Sequence, residues 1–151
     1  MNNAIDLIRQ PRLFLLGMIT ELSLDQLNRI PAGFSNNIVW NLGHMVASQQ
    51  NICYLRGGVD LKVDADFWDL YKSGTRPERQ FGADDMAIIQ TLFTSTLDQL
   101  EADLATDLFD NYTPWTTRYG VAITNVHEAV QFLPFHDGLH QGVISAMKRL
   151  V

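Results

Sequence analysis

From Ile30 through Leu55 the chain carries no Asp, Glu, Lys or Arg, although it holds 17 acidic and 11 basic residues elsewhere. A helix with one wet face normally places charges on that face, so a charge-free run of 26 positions has to be covered on most sides. The stretch from about Asn36 to Arg56 is therefore read as the central helix of a helical protein, with Ile38, Leu42, Met45 and Ile52 as its apolar row. Beside it, at helical spacing, runs a row of uncharged polar groups: Asn37, Asn41, His44, Ser48 and Asn51. Such a row suits a buried polar pocket, and a subunit interface selects the same composition. Trp40, one turn before His44, either packs or walls the pocket.

The rest of the chain supplies partners for that helix. A first apolar-periodic segment runs from about Pro11 to Leu22, extensible back to Ile5. Pro11 then lies either in its first turn or at a kink in a longer helix. Ser23 and Gln26 read as a capping box for a short helical turn that Pro31 and Gly33 end. A connection of about a dozen residues can cross over, so the first two long helices need not be neighbours. Gly57-Gly58 stops the central helix. A long segment from Val59 to Ala83 follows, with one short helix at Ala65 to Lys72. Asp84 reads as the N-cap of a helix reaching Leu104, with Met86, Ile89, Phe93, Leu97, Leu100 and Leu104 on its apolar side. Ala105 to Ile123 reads as irregular, and Asn125 with Glu128 caps the last helix. The pattern predicts an all-α four-helix bundle with long crossover connections, one domain over residues 1–151.

The last helix places His136 and His140 four residues apart, about 400° of rotation and about 6 Å of rise, so their imidazoles share a face. The row Ala129, Leu133, His136, His140, Val143, Met147 and Leu150 turns that face to the core. Pro134 should bend the helix just before His136. Gly138, Gly142 and Ala146 form a small-residue row on another face, open to a close helix of this chain or of a second copy. His127 and Cys53 each lie about 180° round their helices from the nearest of these histidines, so both are read as outside the site. The string H-D-G-L-H differs from H-E-x-x-H by a shorter carboxylate and by having no further ligand downstream, which argues against a peptidase. Asp137 is read instead as solvated or as a carboxylate that supports a ligand histidine.

The net charge of −6, with no basic patch, excludes a role built on phosphate backbones or anionic membranes. No run approaches the ~18 apolar residues of a membrane span. The single cysteine and the lack of a signal-like start suggest a cytoplasmic protein.

The residues N-N-I-V-W-N-L-G-H at 36–44, T-x-R-x-G-V-A-I-T-N at 116–125 and F-H-D-G-L-H-Q-G at 135–142 resemble the DinB-like (DinB/YfiT) family, and the likeness extends over essentially the whole chain. The resemblance implies a four-helix bundle of uncommon helix order. It also implies one divalent metal, often zinc or nickel, held by His44, His136 and His140. Some members of that family look like S-transferases or isomerases that use bacillithiol, mycothiol or glutathione. Three neutral imidazoles leave a coordination position open, the catalytic pattern of zinc. Such an ion activates a bound water or thiol near neutral pH. The expectation is a metal-dependent enzyme acting on a small-molecule substrate, with a low-molecular-weight thiol as co-substrate and thiol transfer preferred over hydrolysis. Val59–Ala83 and Ala105–Ile123 would form its mouth. The alternative is a non-catalytic metal-binding or interaction protein, its site structural or vestigial and its uncharged second helix a subunit interface. A homodimer is expected in either case.

Overall fold

In the computed structural model, which describes residues 3–151, the first helix α1 spans Asn3–Ile19 and runs through Pro11 without a break. Ile5, Ile8, Arg12, Leu15 and Ile19 are its buried residues, at the three- and four-residue spacing of one helical face. The longer of the two readings of this helix is the one the chain adopts. Burial of Ile5 and Ile8 favours the additional turns.

The short helix α2, Leu24–Asn28, carries the expected capping box: Ser23 Oγ accepts from Gln26 N–H, and Gln26 Oε1 accepts from Ser23 N–H. Asn37 caps α3, Ile38–Gln49, its Oδ1 accepting from Trp40 N–H at 2.8 Å. The helix continues into a π-helical turn, Gln50–Leu55, and ends where Gly58 takes a φ of +69°. Every residue of α3 is buried. Its lack of charge therefore reflects burial inside this chain, and the reading of this helix as a subunit interface falls.

The connection that follows folds back as α4, Ala65–Tyr71. Helix α5, Ala83–Asp103, begins two residues earlier than an Asp84 cap would place it. Gly82 is the N-cap, and Asp85 reaches back so that its Oδ2 accepts from Gly82 N–H at 2.7 Å. Its apolar row is buried as expected from Met86 to Leu100, with Leu104 half-buried.

Inside the segment read as irregular lies an antiparallel hairpin, β1 Trp115–Thr116 with β2 Ala122–Ile123, in which Trp115 pairs with Ile123. Strands of two residues are too short to leave an alternating pattern in the sequence. Asn125 caps α6, Val126–Met147, accepting from Glu128 N–H, while Glu128 accepts from Thr124 N–H. Helix α6 is continuous through Pro134. The core-facing row ends at Met147, because Leu150 is exposed.

Helix α1 packs against α5 and α6, and α3 packs against the same two and against α4. The first two long helices thus stand on a diagonal of the all-α bundle, as the long connection between them permits. One apolar cluster joins Leu15, Leu42, Met45, Phe93 and Ile144. A second joins Ile8, Cys53, Leu97, Val126 and Leu133.

Candidate metal centre

His44 projects from α3 toward α6, and His136 and His140 project from α6 toward α3. One ring nitrogen of each lies within 4.8 Å of the others. Around an ion with ~2.1 Å bonds and tetrahedral angles, donor nitrogens sit roughly 3.4 Å apart, so small ring rotations bring these three onto one ion. No other described histidine, cysteine or acidic residue joins the cluster.

The orientation of each ring is set by what its Nδ1 meets. His44 Nδ1 lies 2.8 Å from the Tyr71 carbonyl. His140 Nδ1 lies 2.8 Å from Asn41 Oδ1, and His136 Nδ1 lies at the longer distance of 3.5 Å from Asp137 Oδ1. Carbonyl, amide and carboxylate oxygens only accept, so in each ring Nδ1 bears the proton and Nε2 carries the lone pair. Asn41 presents its oxygen because its Nδ2 is engaged, donating to the Asn37 carbonyl at 2.7 Å and to Asn36 Oδ1 at 2.9 Å. Two members of the polar row of α3 therefore serve the histidines. Asn41 holds His140, and the Ser48 hydroxyl donates to His44 Nε2 at 3.1 Å.

Gly43 explains how the Tyr71 carbonyl comes so close. A Cβ at position 43 would overlap the Tyr71 ring, with Cε1 at 2.6 Å, so only glycine lets α4 lie against α3 beside His44. Trp40 stacks on the His44 ring, centroids 4.5 Å apart and planes 11° from parallel, while its Nε1 donates to Thr75 Oγ1.

Asp137 is buried rather than solvated. Its Oδ2 accepts from Arg12 Nε at 2.8 Å, and Arg12 has no solvent exposure at all. The same guanidinium donates to Gln49 Oε1 at 2.9 Å and to the Met45 carbonyl at 3.3 Å. Gln49 in turn donates to the Thr96 carbonyl, tying α5 into the network. Burial pushes the Asp137 carboxyl up, but the Arg12 guanidinium and His136 outweigh it and hold the group below the usual carboxylate range. Arg12 escaped the sequence reading, although a signal for it exists: it is the one charged residue in the row Ile5, Ile8, Arg12, Leu15, Ile19.

Burial lowers the His44 pKa to about 4, against the opposing pull of the Tyr71 carbonyl, with nearby His136 lowering it further. Burial also lowers His140 to about 3, helped by His136 and His44. Both are neutral at neutral pH, as a ligand imidazole must be. Cys53 is buried among apolar residues and its thiol is pushed up to about 12 by that burial, so it is a packing residue. His127 is exposed and lines a different depression, beside Leu104 and Phe109.

The three histidines open onto a cavity of about 460 Å³. Trp40, Ser48 and Asn51 line it, and Trp115 and Phe132, edge-on to each other at 5.9 Å, form an aromatic wall. Ser73 and Gly74 from the first long connection, and Thr117, Arg118 and Tyr119 from the second, complete the lining. Three Nε2 atoms spaced for one ion and facing a cavity, that of His44 now bonded to the Ser48 hydroxyl, can hold a divalent metal with a position left for an exogenous ligand.

Two comparisons bear on this arrangement. The family model of the DinB superfamily matches residues 10–144, most of the chain and all three histidines. No curated protein matches the chain.

Proposed function

Because the chain belongs to the DinB superfamily, we propose that it is a metal-dependent enzyme in which His44, His136 and His140 hold one zinc or nickel ion through Nε2. The observation that carries this reading is the common orientation of the rings: three different oxygen acceptors occupy the three Nδ1 positions. Chance core histidines have no reason to share a tautomer and converge on one cavity. A bound divalent ion would supply Lewis acidity that makes a water or a thiol nucleophilic near neutral pH.

The chain's own residues do the rest. Tyr71, Asn41 and Asp137 hold the Nδ1 protons, and Trp40 keeps solvent off the face of His44. Ser48, free to turn its hydroxyl from His44 Nε2 toward a bound molecule, can accept or donate a proton-bearing contact there. We assign thiol transfer from a low-molecular-weight thiol to a small electrophile ahead of hydrolysis, on the likeness to the thiol-dependent members of the family. The reading includes a cytoplasmic setting, in keeping with a lone buried cysteine, and a homodimer. The dimer is favoured by the exposed row Gly138, Gly142 and Ala146, where a Cβ on either glycine would meet no other part of the described chain within 4 Å.

The test is metal analysis of untagged protein beside a variant in which all three histidines are alanine, followed by assays with glutathione, mycothiol and bacillithiol. Close to one ion per chain in the wild type and none in the variant is expected. Metal content that is substoichiometric and unchanged in the variant sinks the assignment.

A further inference from the structure

The cavity wall has an uneven charge. The chain holds 17 acidic residues, yet no Asp or Glu lines the cavity, and its single Lys or Arg is Arg118. Arg118 is exposed and has no hydrogen-bond or ion-pair partner among the described residues. Three other arginines meet carboxylates, Arg9 with Asp98, Arg12 with Asp137 and Arg79 with Asp85, and of the arginines without an ion pair among the described residues only Arg118 lines the cavity. An unpaired guanidinium at the rim of a neutral-to-positive cavity is an open anion site, and its planar fork matches a carboxylate.

The position of Arg118 is built. It lies in the turn of the hairpin β1–β2, the one sheet among the described residues of this otherwise helical fold. Thr117 N–H donates to the Val121 carbonyl at 2.8 Å, Val121 N–H donates to Thr117 Oγ1 at 3.1 Å, and Gly120 closes the turn with a φ of +81°. The hairpin is pinned to α6 by two edge-on aromatic contacts, Trp115 on Phe132 at 5.9 Å and Tyr119 on Phe135 at 5.1 Å. Trp115 and Phe132 are the same rings that wall the cavity. The hairpin thus carries a cation and an apolar surface to the mouth together.

Resting on the reading of this cavity as the reaction site, we propose that it takes a small molecule bearing a carboxylate next to an apolar group. Arg118 binds the carboxylate and the Trp115–Phe132 wall takes the apolar part. The carboxylate-bearing molecule is either the acceptor or the thiol, and two probe pairs separate these. Phenylbutyrate against phenylbutanol reports an acceptor-like acid, and sulfanylpropionate against sulfanylpropanol reports a thiol acid.

Binding is measured by calorimetric titration of the full chain, both as purified and after chelation, for the wild type, Arg118→Ala and Arg118→Lys. One acid should bind at least about ten-fold more tightly than its alcohol in the wild type with or without metal, the scale of a charge-assisted contact. Arg118→Ala should abolish that preference and Arg118→Lys should restore part of it, with metal content the same in all three proteins. Equal binding of acid and alcohol in both pairs overturns the proposal, as does an acid preference that survives in Arg118→Ala. A wild type that binds no metal but prefers the acid in an Arg118-dependent way would sink the metal reading and leave this one standing.

Discussion

Arg12 and Asp137 show how much one buried pair can organise. A guanidinium with no exposure is tolerated because a carboxylate, an amide oxygen and a backbone carbonyl all accept from it. Removing the carboxylate alone leaves that charge uncompensated. Asp137→Ala should therefore cost about 3–5 kcal/mol in urea unfolding, and Arg12→Met together with Asp137→Leu should cost less than Asp137→Ala by itself. A single variant as stable as the wild type would show that the pair is solvated. The histidines set the pH dependence at this same scale. Unfolded histidine protonates near 6.5, whereas folded His44 resists protonation until about 4 and His140 until about 3. Between those values the unfolded chain binds more protons, so metal-free protein should lose stability as pH falls from 6.5 toward 4. Urea midpoints across that range check this, and His44→Ala should flatten the slope. An identical slope in the variant would contradict the assignment.

Among the elements, α3 and α4 are coupled through a single missing side chain. Gly43→Ala adds helix propensity worth about 1 kcal/mol in a free helix. Here the added methyl overlaps the Tyr71 ring and forces α4 away, so a net loss of about 1–3 kcal/mol is expected. The Tyr71 carbonyl then releases His44 Nδ1, and zinc affinity by competition with a chromogenic chelator should fall together with stability. Unchanged zinc affinity in Gly43→Ala would mean that α4 does not orient the histidine. The end of α6 nearest the hairpin offers a simpler case. Asn125→Ala removes the cap on Glu128 N–H and should cost about 1 kcal/mol, read by thermal unfolding.

For the molecule as a whole, the two apolar clusters span the bundle without calling on any of the three histidines. The fold should therefore survive loss of metal. Far-ultraviolet circular dichroism after chelation should keep its helical signal, and zinc restored at about 100 times its Kd should add about 2.7 kcal/mol, roughly 5–10 °C in melting temperature. Unfolding on chelation would mark the ion as structural. No described helix is long and apolar enough to cross a membrane, and sedimentation at low concentration decides whether the exposed Gly138 row joins two copies.

The amino-acid sequence by itself determined that α3 is covered on most sides, because a charge-free run of this length is costly to leave in water, and the structure showed that this chain supplies the cover. It also determined where helices are capped, because Ser23 with Gln26 and Asn125 with Glu128 act over three residues. It placed His136 and His140 on one face through the helical repeat alone, while His44 joined them only through a family likeness. Whatever depends on contacts between distant segments was decided by the tertiary structure. Arg12 and Asp137 are 125 positions apart, and His140 and Asn41 are 99 apart. Gly43 makes sense only once Tyr71 is beside it, and Arg118 reaches the cavity lining only because a hairpin of two-residue strands carries it there. Local pattern reports which face of an element is dry. Which residues meet on that face depends on the order in which the helices surround the core, and the chain's long connections leave that order open.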